Sequence, residues 1–314
     1  MSGVDVLVVG DANPDLLLTG DTVPRFGQAE QLLDSADLVL GGSAAIVACG
    51  LARLGVRTAL VSVVGDDQFG AFVRGCLQER GVDDSAVMTH PTVPTGLSVV
   101  LSEPRDRAIL TLPGTIPLLG LDAVRDAVER LVPRHVHIAS YFLQPTLAAG
   151  LPGFLEWLAD RGVTVSLDTN WDPAEHWAGL EEVLPRVDVF LPNREEALAV
   201  ATVLAGRPIT DLDEAAVSLS ATGCRVVVKS GADGGVAYDG GTHTASGAGL
   251  VLDVVDTTGA GDSFDAGYLA SIVRGIGAEE ERLRWAAVAG SLSVRGFGGT
   301  AAQATVEELV GALV

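Results

Sequence analysis

The chain has 314 residues, of which 48% are hydrophobic and only 19% charged, so a disordered chain is excluded and there is apolar surface for a large core. A formal net charge of -21 sets a repulsive field against polyphosphates and anionic membranes, so no nucleic-acid partner and no membrane partner is expected. Length alone allows two domains, but no linker or low-complexity tract divides the sequence, and residues 1–314 read as a single domain.

In chain order, "VDVLVVG" (4–10) reads as a strand, "SAAIVACGLARLG" (43–55) as a helix, "RTALVSVVG" (57–65) as a strand and "DQFGAFVRGCLQERG" (67–81) as a helix. The rhythm resumes with "HVHIAS", "LPGFLEWLADRG", "VTVSLD", "DVFLPN", "REEALAVATVLAG", "RVVVKSG" and "LVLDVVD". Such alternation predicts an α/β fold with a mostly parallel sheet flanked by helices. Gly55, Gly81, Gly162 and Gly206 each follow a helical run, where a left-handed cap is needed. Two segments break the rhythm. Residues 16–40 and 95–112 read as strands without helices between them, the second turning at "EPRD", and together predict a small accessory sheet.

Cys49, Cys76 and Cys224 are far apart and form no C-x-x-C pair, so they read as buried small hydrophobes in a reducing compartment. No basic leader and no apolar run of about 20 residues is present, and a cytoplasmic location is expected. His135 and His137 alternate on one strand without further ligands, which favours a structural role over a metal site.

The stretch "VVDTTGAGDSFDAGYLA" (254–270) sets strand, glycine turn and helix in sequence. The free N–H groups and dipole of a first helical turn favour an anion there, and Gly259, Ala260 and Gly261 would let backbone approach a phosphate. A local reading also stands: Asp262 as an N-cap with Asp265 at the third helical position. No P-loop and no dinucleotide fingerprint is present. Asn193 and Glu196 are spaced as a capping box. Lys229, the only lysine in the chain, ends a strand before a turn with Gly231, Gly234 and Gly235. Asn13 and Asp15 follow the first strand, and Gly41, Gly42 and Ser43 open a helix. All of these fall at strand C-termini or helix N-termini, where open α/β sheets bind ligands, so one shared cleft is the better reading.

On "VLVVGDANPD", "GGSAAIVACGLARLG", "VVGDDQFG", "PNREEA", "DTTGAGDSFDAG" and "GFGG", the chain resembles the ribokinase-like (PfkB) carbohydrate kinase family over essentially its whole length. The resemblance implies a three-layer α/β/α sandwich with a small β-sheet lid, which the two irregular segments would supply. It implies an ATP- and Mg²⁺-dependent kinase acting on a sugar or sugar acid. Asp262 would be the general base, and the Gly259, Ala260 and Gly261 amides would hold the charge of the transferred phosphoryl group. Asn193 and Glu196 would order the nucleotide phosphates and Mg²⁺, Glu196 through water. Lys229, Gly231 and Gly234 would belong to the nucleotide-binding loop. Asn13, Asp15, Gly41, Gly42 and Ser43 would bind the sugar. Asp256 and Thr258, with the loop at Gly298, would form a potassium site, although Ala302 replaces a serine ligand.

The chain also departs from the family pattern. Ile46 stands where an asparagine faces the sugar, Gln144 where ribokinase has an acid, and Ala287 where it has an asparagine near adenine. A nucleoside kinase is therefore a second expectation, and a non-catalytic sugar or nucleotide binder a third. Arg105 and Arg107 of the second irregular segment are candidates to meet a carboxylate, though exposed arginines are ordinarily just solvated. A homodimer through the lid is expected as well.

Overall fold

A computed structural model describes residues 3–103 and 106–313. The first part of the chain runs β1 (Val6–Val9), β2 (Asn13–Gly20), β3 (Leu33–Gly41), α1 (Ser43–Arg53), β4 (Thr58–Gly65), α2 (Gln68–Glu79) and β5 (Asp83–His90). Then follow β6 (Leu97–Glu103), β7 (Asp106–Leu112), α3 (Leu121–Leu131), β8 (His135–Ala139), α4 (Pro145–Ala148), α5 (Leu151–Ala159) and β9 (Thr164–Asp168). The last third holds β10 (Val189–Phe190), α6 (Arg194–Ala205), α7 (Leu212–Ser220), β11 (Arg225–Lys229), β12 (Gly235–Asp239) and β13 (Thr242–Gly247). It closes with α8 (Ala260–Val273), α9 (Glu279–Ser293) and α10 (Val306–Leu313).

Nine strands form one sheet in the order β13-β12-β11-β10-β9-β8-β1-β4-β5. Every pairing from β11 to β5 is parallel, and only β12 and β13 run antiparallel at one edge. Strands buried on both faces need apolar residues at every position, and β1 shows it: Val6 and Val8 pack with α1, α2, α8 and α9, whereas Leu7 and Val9 pack with α3, α5, α6 and α7. These two cores make the sandwich three layers. Gly55, Gly81, Gly162 and Gly206 close their helices with φ of +73, +77, +68 and +63°, as expected of left-handed caps.

The irregular segments form a separate sheet of four strands, β3-β2-β6-β7, with β2 and β6 parallel. Its strands begin and end a few residues away from the expected bounds. Period-two alternation gives it two unlike faces. One face carries Asp15, Ser98, Val100, Arg107, Ile109 and Thr111 toward a cleft. The opposite face is apolar, with Leu38, Leu110 and Leu112 exposed. Arg105 lies outside the described residues.

One expected strand is absent. Residues 250–256, "LVLDVVD", are irregular, and Val251, Val254 and Val255 are exposed. β13 already occupies the sheet edge, and the segment instead follows α9, where the Val255 and Asp256 amides donate to the Val294 carbonyl. Apolar β-branched composition cannot make a strand where no neighbour offers a ladder. Among the described residues no helix is long and apolar enough to cross a membrane.

Candidate functional site

The chain leaves β1 toward β4 on one side and β8 on the other, so the sheet has a switch point beside β1, and a cleft of about 1290 Å³ opens there above the strand C-termini. The small sheet covers one end of it.

Under that sheet, Asp11 follows β1 and is buried. Its carboxylate accepts from the Ser43 amide at 3.3 Å and the Ala44 amide at 3.1 Å, the first amides of α1. Asn13 donates to Asp15 at 2.9 Å. Burial, and then the charge of Asp11, pushes Asp15 up to about 7. A Cβ on Gly41 would stand 2.1 Å from the Asp15 carboxyl carbon, so only glycine lets β3 pass this carboxylate. Ser43 accepts from Asn170 at 2.8 Å. Ile46 lines the cleft and packs behind the glycine turn at Gly259 and Gly299. Gln144 does not line the cleft. Its amide donates to the Ala139 and Ser140 carbonyls at 2.6 and 3.2 Å, tying the end of β8 to the next turn.

Just behind the middle of the cleft, the Asp256 carboxylate accepts from the Thr258 amide at 2.9 Å, the Thr258 hydroxyl at 2.8 Å and the Gly298 amide at 2.8 Å. These bonds join the glycine turn to the "GFGG" loop. Gly259 is the N-cap of α8 at φ +70°, and a Cβ there would meet the Gly299 Cα at 2.6 Å. The helix thus starts earlier than the local capping reading requires: Asp262 sits at its third position, not its cap, and Asp265 lies one turn further on. No side chain caps this helix. The Ala260 amide donates to the Thr257 carbonyl at 3.2 Å, while the Gly261 and Asp262 amides have no backbone acceptor among the described residues. Ala260 is absent from the cleft wall, whereas Gly259, Gly261 and Asp262 line it. Burial, followed by the charge of Asp168, raises Asp262 to about 7. Arg107 reaches across from β7 to donate to the Thr258 hydroxyl at 3.1 Å.

At the far end, Asn193 caps α6 and accepts from the Glu196 amide at 2.9 Å, while Glu196 accepts from the Asn193 amide at 2.8 Å. This is the expected capping box, and both residues also line the cleft. Burial and then Asp168 push Glu196 up to about 7. Lys229 ends β11 beside Asn193. Its ammonium contacts Asp168 at 2.5 Å and Asp265 at 3.2 Å. Burial opposes the charge on Lys229, yet the Asp168, Asp265 and Glu196 carboxylates together hold it above its ordinary value. Burial likewise raises Asp168, but the lysine together with the hydrogen bonds of Asp265 and the Asn170 amide outweighs it and the net shift is downward. Gly231 lines the cleft; Gly234 does not, and a Cβ on it would strike the Gly247 carbonyl oxygen at 2.1 Å.

A magnesium ion keeps several waters and shares one or two carboxylates with substrate phosphates. Among the described residues no cluster of three His, Cys, Asp or Glu side chains could cage a metal. Glu196 fits an ion carried on phosphates, because its second oxygen has no partner in the capping box. His135 and His137 bond Ser166 inside the sheet, and burial lowers them to about 3 and about 4, a structural role as expected.

Sequence reasoning missed Asp11, Asp168, Asn170 and Trp171, all of which line the cleft. Asp168 ends β9 and Asp11 follows the C-terminus of β1 between that strand and Asn13, and that position was the available signal. Trp171 carried none. It is 50% exposed and packs edge-on against Trp177 at 5.0 Å.

Residues 4–305 match the pfkB family carbohydrate kinase model. The chain is 32% identical over 302 residues to an ATP-dependent ribose-1-phosphate kinase of Halopiger xanaduensis, covering 92% of each chain. The ribokinase of Arabidopsis thaliana, solved with ribose and ATP, superposes with a TM-score of 0.84 at 25% identity and 99% coverage of both chains. A ribokinase-type protein of E. coli solved with ATP and Mg²⁺ superposes with a TM-score of 0.82 at 22% identity, again over 99% of both, which bears on the fold alone. The chain belongs to the pfkB family of carbohydrate kinases and is an ATP-dependent enzyme of that family.

Proposed function

We propose that the cleft transfers the γ-phosphoryl group of ATP to a hydroxyl of a sugar or sugar acid, with Asp262 as general base and the Gly259–Gly261 turn as anion hole. One observation carries this reading: α8 opens on the cleft with no side-chain cap, two unengaged amides and a buried carboxylate at its third position. An alcohol is a weak nucleophile until a positioned base takes its proton, and a carboxylate tuned to about 7 accepts one near neutral pH. Phosphoryl transfer then needs charge stabilisation and alignment, which oriented amides provide.

Asn13, Asp15, Gly41, Gly42, Ser43 and Ile46 surround the acceptor in this reading, and Asn193, Gly231 and Lys229 the nucleotide. Magnesium, held by Glu196 through water, neutralises phosphate charge when bound. Asp256 and Thr258 would hold a potassium ion, which would stiffen the turn. The small sheet acts as a lid that excludes water. The names of the relatives support a sugar acceptor. A nucleoside is the second reading, favoured by the apolar wall of Ile46, Val100, Ile109 and Trp171.

The test is an ADP-release screen over sugars, sugar phosphates, sugar acids and nucleosides, with Asp262→Asn as the blank. Turnover in the mutant should fall by about 10²–10⁴ with the fold intact. In the wild type, kcat/KM should fall as pH drops below about 7, because protonated Asp262 cannot accept the acceptor's proton. Near-normal turnover in Asp262→Asn would remove the base from this role.

A further inference from the structure

Lys229 is the only lysine in the chain, and it is held inside the cleft by two acids from different elements: Asp168 at the end of β9 and Asp265 on α8. We propose that Lys229 is a catalytic residue that donates a hydrogen bond, through its third ammonium N–H, to the phosphoryl group in transit, with Asp168 and Asp265 as the positioning residues that aim it. This rests on the kinase reading of the cleft.

An ammonium has three donors and no acceptor. Two face the Asp168 and Asp265 oxygens at 2.5 and 3.2 Å, and no further acceptor lies within hydrogen-bonding distance among the described residues. The side chain is 10% exposed and lines the cleft, so a donor remains for a ligand oxygen. Its place is beside the anion turn. A Cβ on Gly261 would stand 3.6 Å from the Lys229 nitrogen, and the missing methyl leaves the ammonium open to whatever sits at the mouth of α8.

The charge balance agrees with this placement. Burial raises Asp265 well above the ordinary carboxylate range, whereas Asp168 is held below it, so Asp168 is the stronger partner of the ammonium. The third donor is shared with neither acid, so an arriving phosphoryl oxygen does not have to displace one of them.

In the step itself, the acceptor oxygen bonds the γ-phosphorus as the bond from that phosphorus to the β,γ-bridging oxygen breaks. The bonding pair leaves with ADP, the acceptor's proton passes to Asp262, and Lys229 keeps its own proton throughout, following charge on the equatorial oxygens.

The experiment is calorimetric binding of Mg-ADP and of Mg-β,γ-imido-ATP to the full chain. Lys229→Met should weaken the triphosphate analogue by roughly 10–100-fold, the effect of losing a charge-assisted hydrogen bond, while ADP, which lacks the group in transit, changes by less than about threefold. Removing the lysine alone strands Asp168 in the interior. The double variant Lys229→Met/Asp168→Asn removes the pair together and decides the matter where the single variant does not fold. It should show the same selective loss. A double variant that keeps the wild-type preference for the triphosphate analogue overturns the proposal, because the lysine then serves only to neutralise the acids. Equal losses for both nucleotides overturn it too. A wild type that binds neither nucleotide overturns the reading of the cleft along with it.

Discussion

Of the helix mouths that open on the cleft, those of α1 and α8 are treated in opposite ways. The first amides of α1 are already occupied by the Asp11 carboxylate of the same chain. Those of α8 have no side-chain partner, although a glycine takes the cap position in both helices, Gly42 in α1 and Gly259 in α8. Both mouths carry the positive end of a helix dipole. The difference is whether the anion is resident or must arrive. A mouth filled from within can present only neutral or negative groups to a ligand, which suits a polyhydroxy acceptor. An unfilled mouth attracts an anion from outside. In the proposed reading the fold uses the same physical device twice, once for structure and once for binding.

The strongest way to break the comparison is Gly261→Ala. Its added methyl meets only Lys229, at ordinary contact distance, so the fold should tolerate it, and exchanging glycine for alanine within a helix stabilises by roughly 0.5–1 kcal/mol. Turnover should nevertheless fall about 10²-fold, the typical result of misplacing reacting groups by an ångström. Thermal denaturation beside kinetics separates the two effects, and unchanged turnover in the stabilised variant would mean that no phosphoryl group approaches there.

At the other mouth, Asp11→Ala empties what α1 keeps filled. Two amides lose their acceptor, and stability measured by denaturant should drop by about 1–3 kcal/mol, with nucleotide affinity unchanged. Added formate should restore part of the loss by entering the vacated mouth. A variant as stable as the wild type would show that the resident carboxylate is not needed there.

The smallest effect concerns Asp256, whose oxygens join the glycine turn to Gly298. Replacing potassium with lithium at constant ionic strength should lower turnover modestly, with little change in nucleotide affinity, and Asp256→Asn should abolish the difference. Equal rates in both salts would leave the carboxylate as a purely structural tie.

The layered fold was legible in the sequence because β-branched runs and helical periods alternate, and because glycine marks the helix ends. The four-stranded sheet was legible as a break in that rhythm. The segment 250–256 was not, since its composition is that of a strand while the edge position that decides its fate belongs to tertiary structure. In the cleft, Asp262, Asn193 and Glu196 carried local signatures, although the start of α8 at Ala260 altered the local meaning of Asp262. Asp168, Asp265 and Lys229 are too far apart in sequence for any spacing rule to join them; the parallel order of β9, β10 and β11 joins Asp168 to Lys229, and the packing of α8 adds Asp265. Gln144 matched a sugar-binding position by resemblance, yet its amide is engaged by two carbonyls of its own loop.

The single lysine makes Lys229–Ser230 the only bond in the chain that a lysine-specific protease can cut. To enter such a protease, the side chain must first leave Asp168 and Asp265, which draws β9, β11 and α8 apart at one point. Digestion of the folded protein therefore becomes a clock for the opening of that junction, read as a single chain giving way to two fragments of fixed size. A nucleotide that engages the ammonium would slow the clock, and reagents that seek surface amines would find no lysine to mark.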